Sequence, residues 1–355
     1  MRESDRILHL LLAGAACVFS ASCGTDLAAD AAGPSAAPRP GRGPGKVKVF
    51  VLTGQSNMTG RGPQGRLDQP AADQKATLVH FIKRPENVEK YRSLYTGEKK
   101  DANGWTIRDD VFVSCGEWPH APGLARSHWN KHGGLAPGYG GRRAYGFGPE
   151  FGIGFVLGER YDETVLLVKI SFGGNNLARD FRPPSSGGTT GPRYETVVKT
   201  VKDSVANLPE IVPGYTDERG YEIAGMFWNQ GESDMLEPLA GEYEENLVNL
   251  IKDLRGDLDA PDMKAVIAVT GYEGWKGKPS HDPVARKVIE AQFAVARRPE
   301  FRGTVATTET RDFWRPREEF GGRGMSIHWN ANGESYWLMG EAMGLDMIGL
   351  LEVGR

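Results

Sequence analysis

From residue 47 to residue 308 the sequence alternates between short β-branched apolar runs and longer segments of helical period. The strand-like runs are 47–53, 165–171, 222–229, 264–270 and 303–308. Helical patterning covers 148–161, 194–208, 242–258 and 284–298, and a last helix over 331–351 closes the chain. Apolar runs of this length, ended by Gly, Asn or Ser, suit strands buried on both faces. Alternation with helices then implies right-handed βαβ units and a mostly parallel sheet covered on both sides, an α/β fold of about five strands. The stretch 60–146 breaks the rhythm. It is rich in Gly, Trp, His and charge and reads as a long insertion with short strands at 77–82 and 110–114.

Composition narrows the class further. With 39% hydrophobic and 25% charged residues among 355, the chain has enough apolar content for a real core. A net charge of −3 offers nothing to nucleic acid or to an anionic membrane surface. The three cysteines, Cys17, Cys23 and Cys115, cannot build a disulfide framework or a thiolate zinc site. His128 and His132 stand four apart but lack the glutamate of a zinc-protease helix, so no metal site and no cofactor are expected.

The first 45 residues read differently from the rest. Arg2 and Arg6 precede an apolar stretch, 7–21, too short for a comfortable membrane span. Small residues then lead to Cys23, as at a lipoprotein cleavage site, with Ser20 where a leucine is usual. The expectation is an export signal over 1–23, with Cys23 as a lipidated first residue; an ordinary cleaved signal is the alternative. Either outcome predicts an exported protein, periplasmic, extracellular or membrane-anchored through Cys23. Residues 24–45, rich in Ala, Pro and Gly, suit a tether, and the folded body is expected over 46–355.

In open α/β sheets, sites form beyond the carboxyl ends of the strands. Four polar blocks fall there. The first strand ends in Gly54-Gln55-Ser56-Asn57-Met58, the second in Ser171-Phe172-Gly173-Gly174-Asn175-Asn176, and the third in Asn229-Gln230-Gly231-Glu232-Ser233-Asp234. His328 lies in Ser326-Ile327-His328-Trp329-Asn330, just before the last helix. A serine hydroxyl becomes a useful nucleophile when a histidine takes its proton and a carboxylate orients that histidine. Acyl transfer also needs N–H donors aimed at the oxyanion. Ser56 and His328 suit the first two roles. Glu232 suits the third, with Asp234 as its rival and a Ser-His dyad as the remaining option. The N–H groups of Ser56 and Gly174, with the side-chain amide of Gln230 or Asn229, suit an oxyanion hole. Gln55, Asn57, Asn175 and Arg179 are placed to meet substrate hydroxyls; turn duties, or for Arg179 a surface pair with Asp180, are the plainer alternative. Trp105, Trp118, Trp129 and Trp314 are candidates for stacking on a sugar ring, against core packing.

The blocks GQSNM, KISFGGNNL, WNQGESD and IHWNANG resemble the sialate O-acetylesterase and acetylxylan-esterase branch of the SGNH hydrolases. The resemblance runs from about Lys46 to the end of the chain. It implies a three-layer α/β/α sandwich with a flavodoxin-like sheet and metal-free hydrolysis of O-acetyl esters on an oligo- or polysaccharide. By the same resemblance Ser56 is the nucleophile, His328 the base, and Gly174 and Gln230 oxyanion-hole residues. Many SGNH enzymes carry an Asp three residues before the histidine, where this chain has Met325; in the branch with an NQGE-like block the glutamate can serve instead, which favours Glu232. A non-catalytic glycan-binding surface lipoprotein on the same fold is the alternative reading.

Overall fold

The computed structural model describes residues 45–116, 131–141 and 146–353. The expected signal segment, Cys23, nearly all of the tether, and His128, Trp118 and Trp129 lie outside the described residues. All that follows concerns the body that ends at the C-terminus.

Among the described residues, seven strands form one sheet: β1 (Val47–Gly54), β2 (Val111–Cys115), β3 (Lys131–Gly134), β4 (Val165–Ser171), β5 (Tyr221–Asn229), β6 (Lys264–Ala268) and β7 (Val305–Thr308). Their spatial order is β3-β2-β4-β1-β5-β6-β7. All pairings are parallel except β2 with β3. The five strands expected from the alternating pattern supply the flavodoxin-like order 2-1-3-4-5. The insertion supplies two more at one edge, so the sheet has seven strands rather than five.

Five long helices among the described residues cover it: α1 (Pro149–Arg160), α2 (Pro192–Ala206), α3 (Leu239–Asp257), α4 (Pro283–Arg297) and α5 (Gly333–Glu352). Side chains alternate faces along a strand. Phe50 and Leu52 of β1 accordingly pack with α1 and α5, whereas Val47, Val49 and Val51 pack with α2, α3 and α4. The result is the α/β/α sandwich with a separate core on each face.

One expected strand is a helix. Residues 77–82 form a short helix, Leu78–Ile82, whose N-cap Thr77 accepts from the His80 N–H at 3.3 Å. It buries Leu78, Val79, Phe81 and Ile82 in the α1–α5 core. Six residues are too few for periodicity to separate a strand from a capped helical turn.

The register is what builds the site. Gly54 pairs with Ser171 on one side and with Asn229 on the other, so the three block-bearing strands end level. Their ends flank β1, where the chain reverses its direction of winding, the place at which such sheets open a crevice.

Candidate active site

Gly54 (φ 141°) closes β1 against β5: a β-carbon there would stand 2.1 Å from the Asn229 carbonyl oxygen. Only glycine permits this approach, and it brings the Gln55 N–H to that carbonyl at 3.0 Å. Ser56–Thr59 then turns as a four-residue helix, buried throughout. Its far end is held from below. Lys169 of β4 donates to the Thr59 carbonyl at 2.9 Å, to the Tyr139 carbonyl at 2.9 Å, and to Glu150 Oε2 at 2.5 Å. Lys169 and Glu150 are both fully buried.

His328 arrives from the other side of the crevice. Its Nε2 lies 3.0 Å from Ser56 Oγ. The histidine sits in a compact turn in which Met325 O accepts from His328 N (2.8 Å) and Asn330 N (3.1 Å), and Asn330 O accepts from Arg323 N (2.8 Å). The next three residues, Trp329, Asn330 and Ala331, all have positive φ, at 54°, 54° and 51°. Left-handed backbone costs a non-glycine residue about 1–2 kcal/mol, so this turn stores roughly 3–6 kcal/mol that the surroundings must repay. They do so with the buried Trp329 ring packed on Trp314, a bond from Asn330 Nδ2 to Arg315 O, and the Asn332 side chain capping α5.

His328 Nδ1 is buried and has no hydrogen-bond partner among the described residues. Glu232, expected to orient the ring, accepts instead from Asn57 Nδ2, and its Oε2 is buried and unpartnered. Asn57 also donates to Ile327 O at 3.0 Å and accepts from the Tyr336 hydroxyl at 2.9 Å. That hydroxyl lies 3.3 Å from His328 O as well. Glu232 therefore reaches the histidine's turn through Asn57 at the Ile327 carbonyl, and no direct bond joins it to the ring. Asp234 has a different occupation. It accepts from the N–H groups of Leu177 and Ala178 at 2.8 and 3.1 Å and from Gln230 Nε2 at 2.6 Å, anchoring the chain that leaves the Gly174 loop.

Burial shapes the titration of these groups. It pushes the Glu232 carboxyl up to about 7 and Asp234 up to about 6. Burial, with the nearby Arg61 charge, pulls His328 down to about 4. At neutral pH the imidazole is uncharged, the form that could accept a proton. For Nε2 to receive the Ser56 proton, the ring proton must sit on Nδ1.

The donors expected for an oxyanion divide into two groups. Gly174 (φ 76°) lies in an exposed loop beside the serine; a β-carbon on neighbouring Gly173 would stand 3.6 Å from Ser56 Cβ. Neither the Gly174 nor the Ser56 N–H donates to another group among the described residues. Gln230 is a correction: its side-chain nitrogen is already committed to Asn175 O (3.2 Å) and Asp234, which uses both hydrogens. The Asn229 amide points to Met339 Sδ at 3.0 Å.

The residues expected to meet substrate are mostly occupied too. Gln55 Oε1 accepts from Ser233 N at 3.3 Å and lies 3.5 Å from Gly231 N. Asn57 is fully buried. Asn175 is tied to Gly173 O and to Arg193 at 3.1 and 2.8 Å. Arg179 is exposed and makes no ion pair with Asp180, which instead accepts from Asn176 N at 2.8 Å. Trp105 is core, not a sugar platform. No group of three metal-ligating side chains occurs among the described residues. Two residues that matter were missed, Lys169 and Tyr336. A lysine inside an otherwise apolar, doubly covered strand is a signal for the first; nothing distinguishes Tyr336 from a core aromatic.

The strand order and the crevice at the switch point are those of an SGNH-type α/β/α fold. The family model described as "Carbohydrate esterase, sialic acid-specific acetylesterase" matches residues 117–312, over half of the chain, and the chain belongs to that family of carboxylic ester hydrolases. The matched range holds the Gly174 and Glu232 blocks and stops short of Ser56 and His328. Among solved structures, a protein from Arabidopsis thaliana is similar at 19% identity and a TM-score of 0.50, over 85% of this chain and 98% of that one. NanS is similar at 15% identity and 0.52, over 85% and 97%. At these identities the likeness is one of fold. No curated protein matches significantly.

Proposed function

We propose that this carbohydrate esterase removes O-acetyl groups by a serine mechanism, with Ser56 as nucleophile and His328 as base. The observation that carries the reading is the 3.0 Å contact between His328 Nε2 and Ser56 Oγ at the switch point of the sheet. Ser56 Oγ attacks the acetyl carbonyl as its proton passes to Nε2. The developing oxyanion takes the free N–H groups of Ser56 and Gly174. The imidazolium then protonates the sugar oxygen as its bond to the acetyl carbon breaks; His328 next deprotonates a water that attacks the acetyl-enzyme, and the proton returns to Ser56 Oγ as acetate leaves.

Of the three arrangements open for the acid, the geometry favours a Ser-His dyad whose base is held by its backbone. Asn57, carrying Glu232, holds the Ile327 carbonyl, and the Tyr336 hydroxyl backs Asn57 while lying 3.3 Å from His328 O, part of the orienting work that a carboxylate on Nδ1 does elsewhere. Ser56→Ala should abolish hydrolysis of a chromogenic acetyl ester with the fold intact, and near wild-type turnover would sink the mechanism. A fluorophosphonate probe that left Ser56 unlabelled would favour the non-catalytic glycan-binding reading. Glu232→Gln and Asp234→Asn should each cost far less turnover than His328→Ala; a loss in either as deep as that of His328→Ala would make that carboxylate the acid.

We read residues 1–23 as an export signal, Cys23 as its lipidation site and 24–45 as a tether to the esterase body, on the sequence pattern alone. Cys23→Ser should abolish incorporation of radiolabelled palmitate in cells; unchanged labelling rejects the lipoprotein.

A further inference from the structure

The segment that follows β6 leaves the carboxyl end of the sheet, the end that carries the crevice, and leads to α4. It starts against the Glu232 block: Thr270 Oγ1 lies 3.4 Å from Gln230 O, and a β-carbon on Gly231 would stand 2.2 Å from that hydroxyl. Two residues on, the Tyr272 hydroxyl feels the charge of Glu232.

Next on this segment stands Trp275, 51% exposed. It is the one tryptophan so exposed among the described residues, and the other exposed aromatic, Tyr221, opens β5 at the opposite end of the sheet. The ring is not loose. Its Nε1 donates to Asp312 Oδ1 at 2.7 Å, and the Arg311 guanidinium lies 3.7 Å from the ring centroid. Glu309 pins that guanidinium in turn, at 2.8 and 2.6 Å. Gly274 packs so closely on the same residues that a β-carbon would meet Trp314 Cβ at 3.1 Å and Arg311 O at 3.2 Å. One face of the indole is thus covered and its polar edge satisfied, which leaves the exposed area to the other face.

This frame also supports the histidine. Arg311 and Asp312 sit in the turn after β7, and the residues that follow them brace the turn of His328: Trp314 packs on Trp329 at 6.1 Å, and Arg315 O accepts from Asn330 Nδ2 at 3.1 Å. Three more exposed apolar side chains stand on loops of the same end, Leu236 after the Glu232 block, and Met325 and Ile327 just before His328.

We propose that Trp275 is a stacking platform for a sugar ring other than the one that carries the acetyl group, which makes this enzyme selective for oligosaccharide chains over single acetylated sugars. The proposal rests on the carbohydrate-esterase reading and adds a binding subsite to it. One side of a pyranose ring presents a row of C–H bonds, whose slight positive charge suits the negative face of an indole, while the hydroxyls at its rim stay in water. A platform already held rigid gives up little freedom when the sugar lands. Because the contact is remote from the ester, it holds ground state and transition state alike and shows in KM rather than in kcat.

The test compares kcat/KM on 4-nitrophenyl acetate, which carries no sugar, and on acetylated xylo-, manno- and galacto-oligosaccharides of increasing length. In at least one series wild type should favour the tetrasaccharide over the monosaccharide about tenfold or more, the scale of one aromatic contact with the area it covers. Trp275→Ala should remove most of that ratio through KM, and Trp275→Phe should keep part of it. Rates that rise with length in no series would overturn the platform. So would a Trp275→Ala variant that loses as much on 4-nitrophenyl acetate as on the tetrasaccharide, since that loss would be structural.

A binding arm needs no turnover. On Ser56→Ala, a tetrasaccharide of one series should bind several-fold more tightly than its monosaccharide by calorimetry, and Ser56→Ala/Trp275→Ala should lose the difference. Binding that depends on Trp275, without hydrolysis by wild type, would spare the platform and sink the esterase. Hydrolysis with no dependence on chain length, in rate or in binding, would do the reverse.

Discussion

Replacing Lys169 by methionine takes an ammonium group from a site where neither it nor its partner has any solvent access. Among the described residues Glu150 would keep only the Gly148 N–H, 2.9 Å from each carboxylate oxygen. The Thr59 and Tyr139 carbonyls would lose their strongest donor. Leaving one member of a buried pair uncompensated costs about 3–5 kcal/mol. Against a net stability of about 5–15 kcal/mol for a domain, that is a large share. Urea unfolding followed by fluorescence should report it as a fall in the midpoint at unchanged slope. The double variant Glu150→Gln/Lys169→Met removes both charges and should recover much of the loss, and it serves if the single variant does not fold. Because Thr59 ends the turn that carries Ser56, turnover should also fall in whatever Lys169→Met remains folded. A loss below about 1 kcal/mol, or a double variant less stable than the single one, would refute the view that the pair's charges are mutually required.

The remaining predictions concern the site itself. With His328 drawn down to about 4 by burial and by Arg61, kcat/KM should hold level from neutral pH to about 5 and reach half near 4. A midpoint at the ordinary value of about 6.5 would show that the ring is not held as described, and Arg61→Gln should move the midpoint upward. Glu232, raised to about 7 by burial, holds its proton in the fold between its ordinary value and 7. Its share of stability is complete below about pH 4.5 and is lost as pH rises through 7. Glu232→Gln should therefore gain stability relative to wild type between pH 6 and 8; a difference that stays flat across that range refutes the burial argument. Tyr336→Phe removes one buried hydroxyl from between Asn57 and His328. It should cost about 1–2 kcal/mol in thermal or urea unfolding and lower kcat more than it raises KM. An unchanged kcat would deny Tyr336 any part in positioning the base.

The five parallel strands were legible because a strand covered on both faces must be apolar along its whole length, as 165–170 is apart from Lys169. β3 was not: Lys-His-Gly-Gly has neither β-branching nor alternation, and it pairs only because β2 offers it an edge. The helix at Leu78–Ile82 was misread because Thr77, a fair strand residue, acts there as a cap. In the site, Ser56 and His328 were candidates because acyl transfer would need those residue types, and the structure sets them 3.0 Å apart. What could not be read is which polar groups the protein keeps for itself. Gln55, Asn57, Gln230 and Asp234 look like groups offered to a ligand, yet each is consumed by a neighbour. Hydrogen-bond accounting of this kind depends on the three-dimensional partners.

The sheet's outline bears on how the protein behaves in a crowd of its own copies. Its longest strands, β1, β4 and β5, with 8, 7 and 9 residues, lie inside the sheet. Among the described residues both outermost strands, β3 and β7, have only 4 residues. An unpaired strand edge is a template on which another chain can add itself. Here such a template offers little more than a single pleat on either side, and one of the two edges carries a lysine and two glycines. End-on growth of one molecule's sheet into another's has little to start from, so at high concentration this body should resist strand-mediated aggregation as long as its two short edges stay in place.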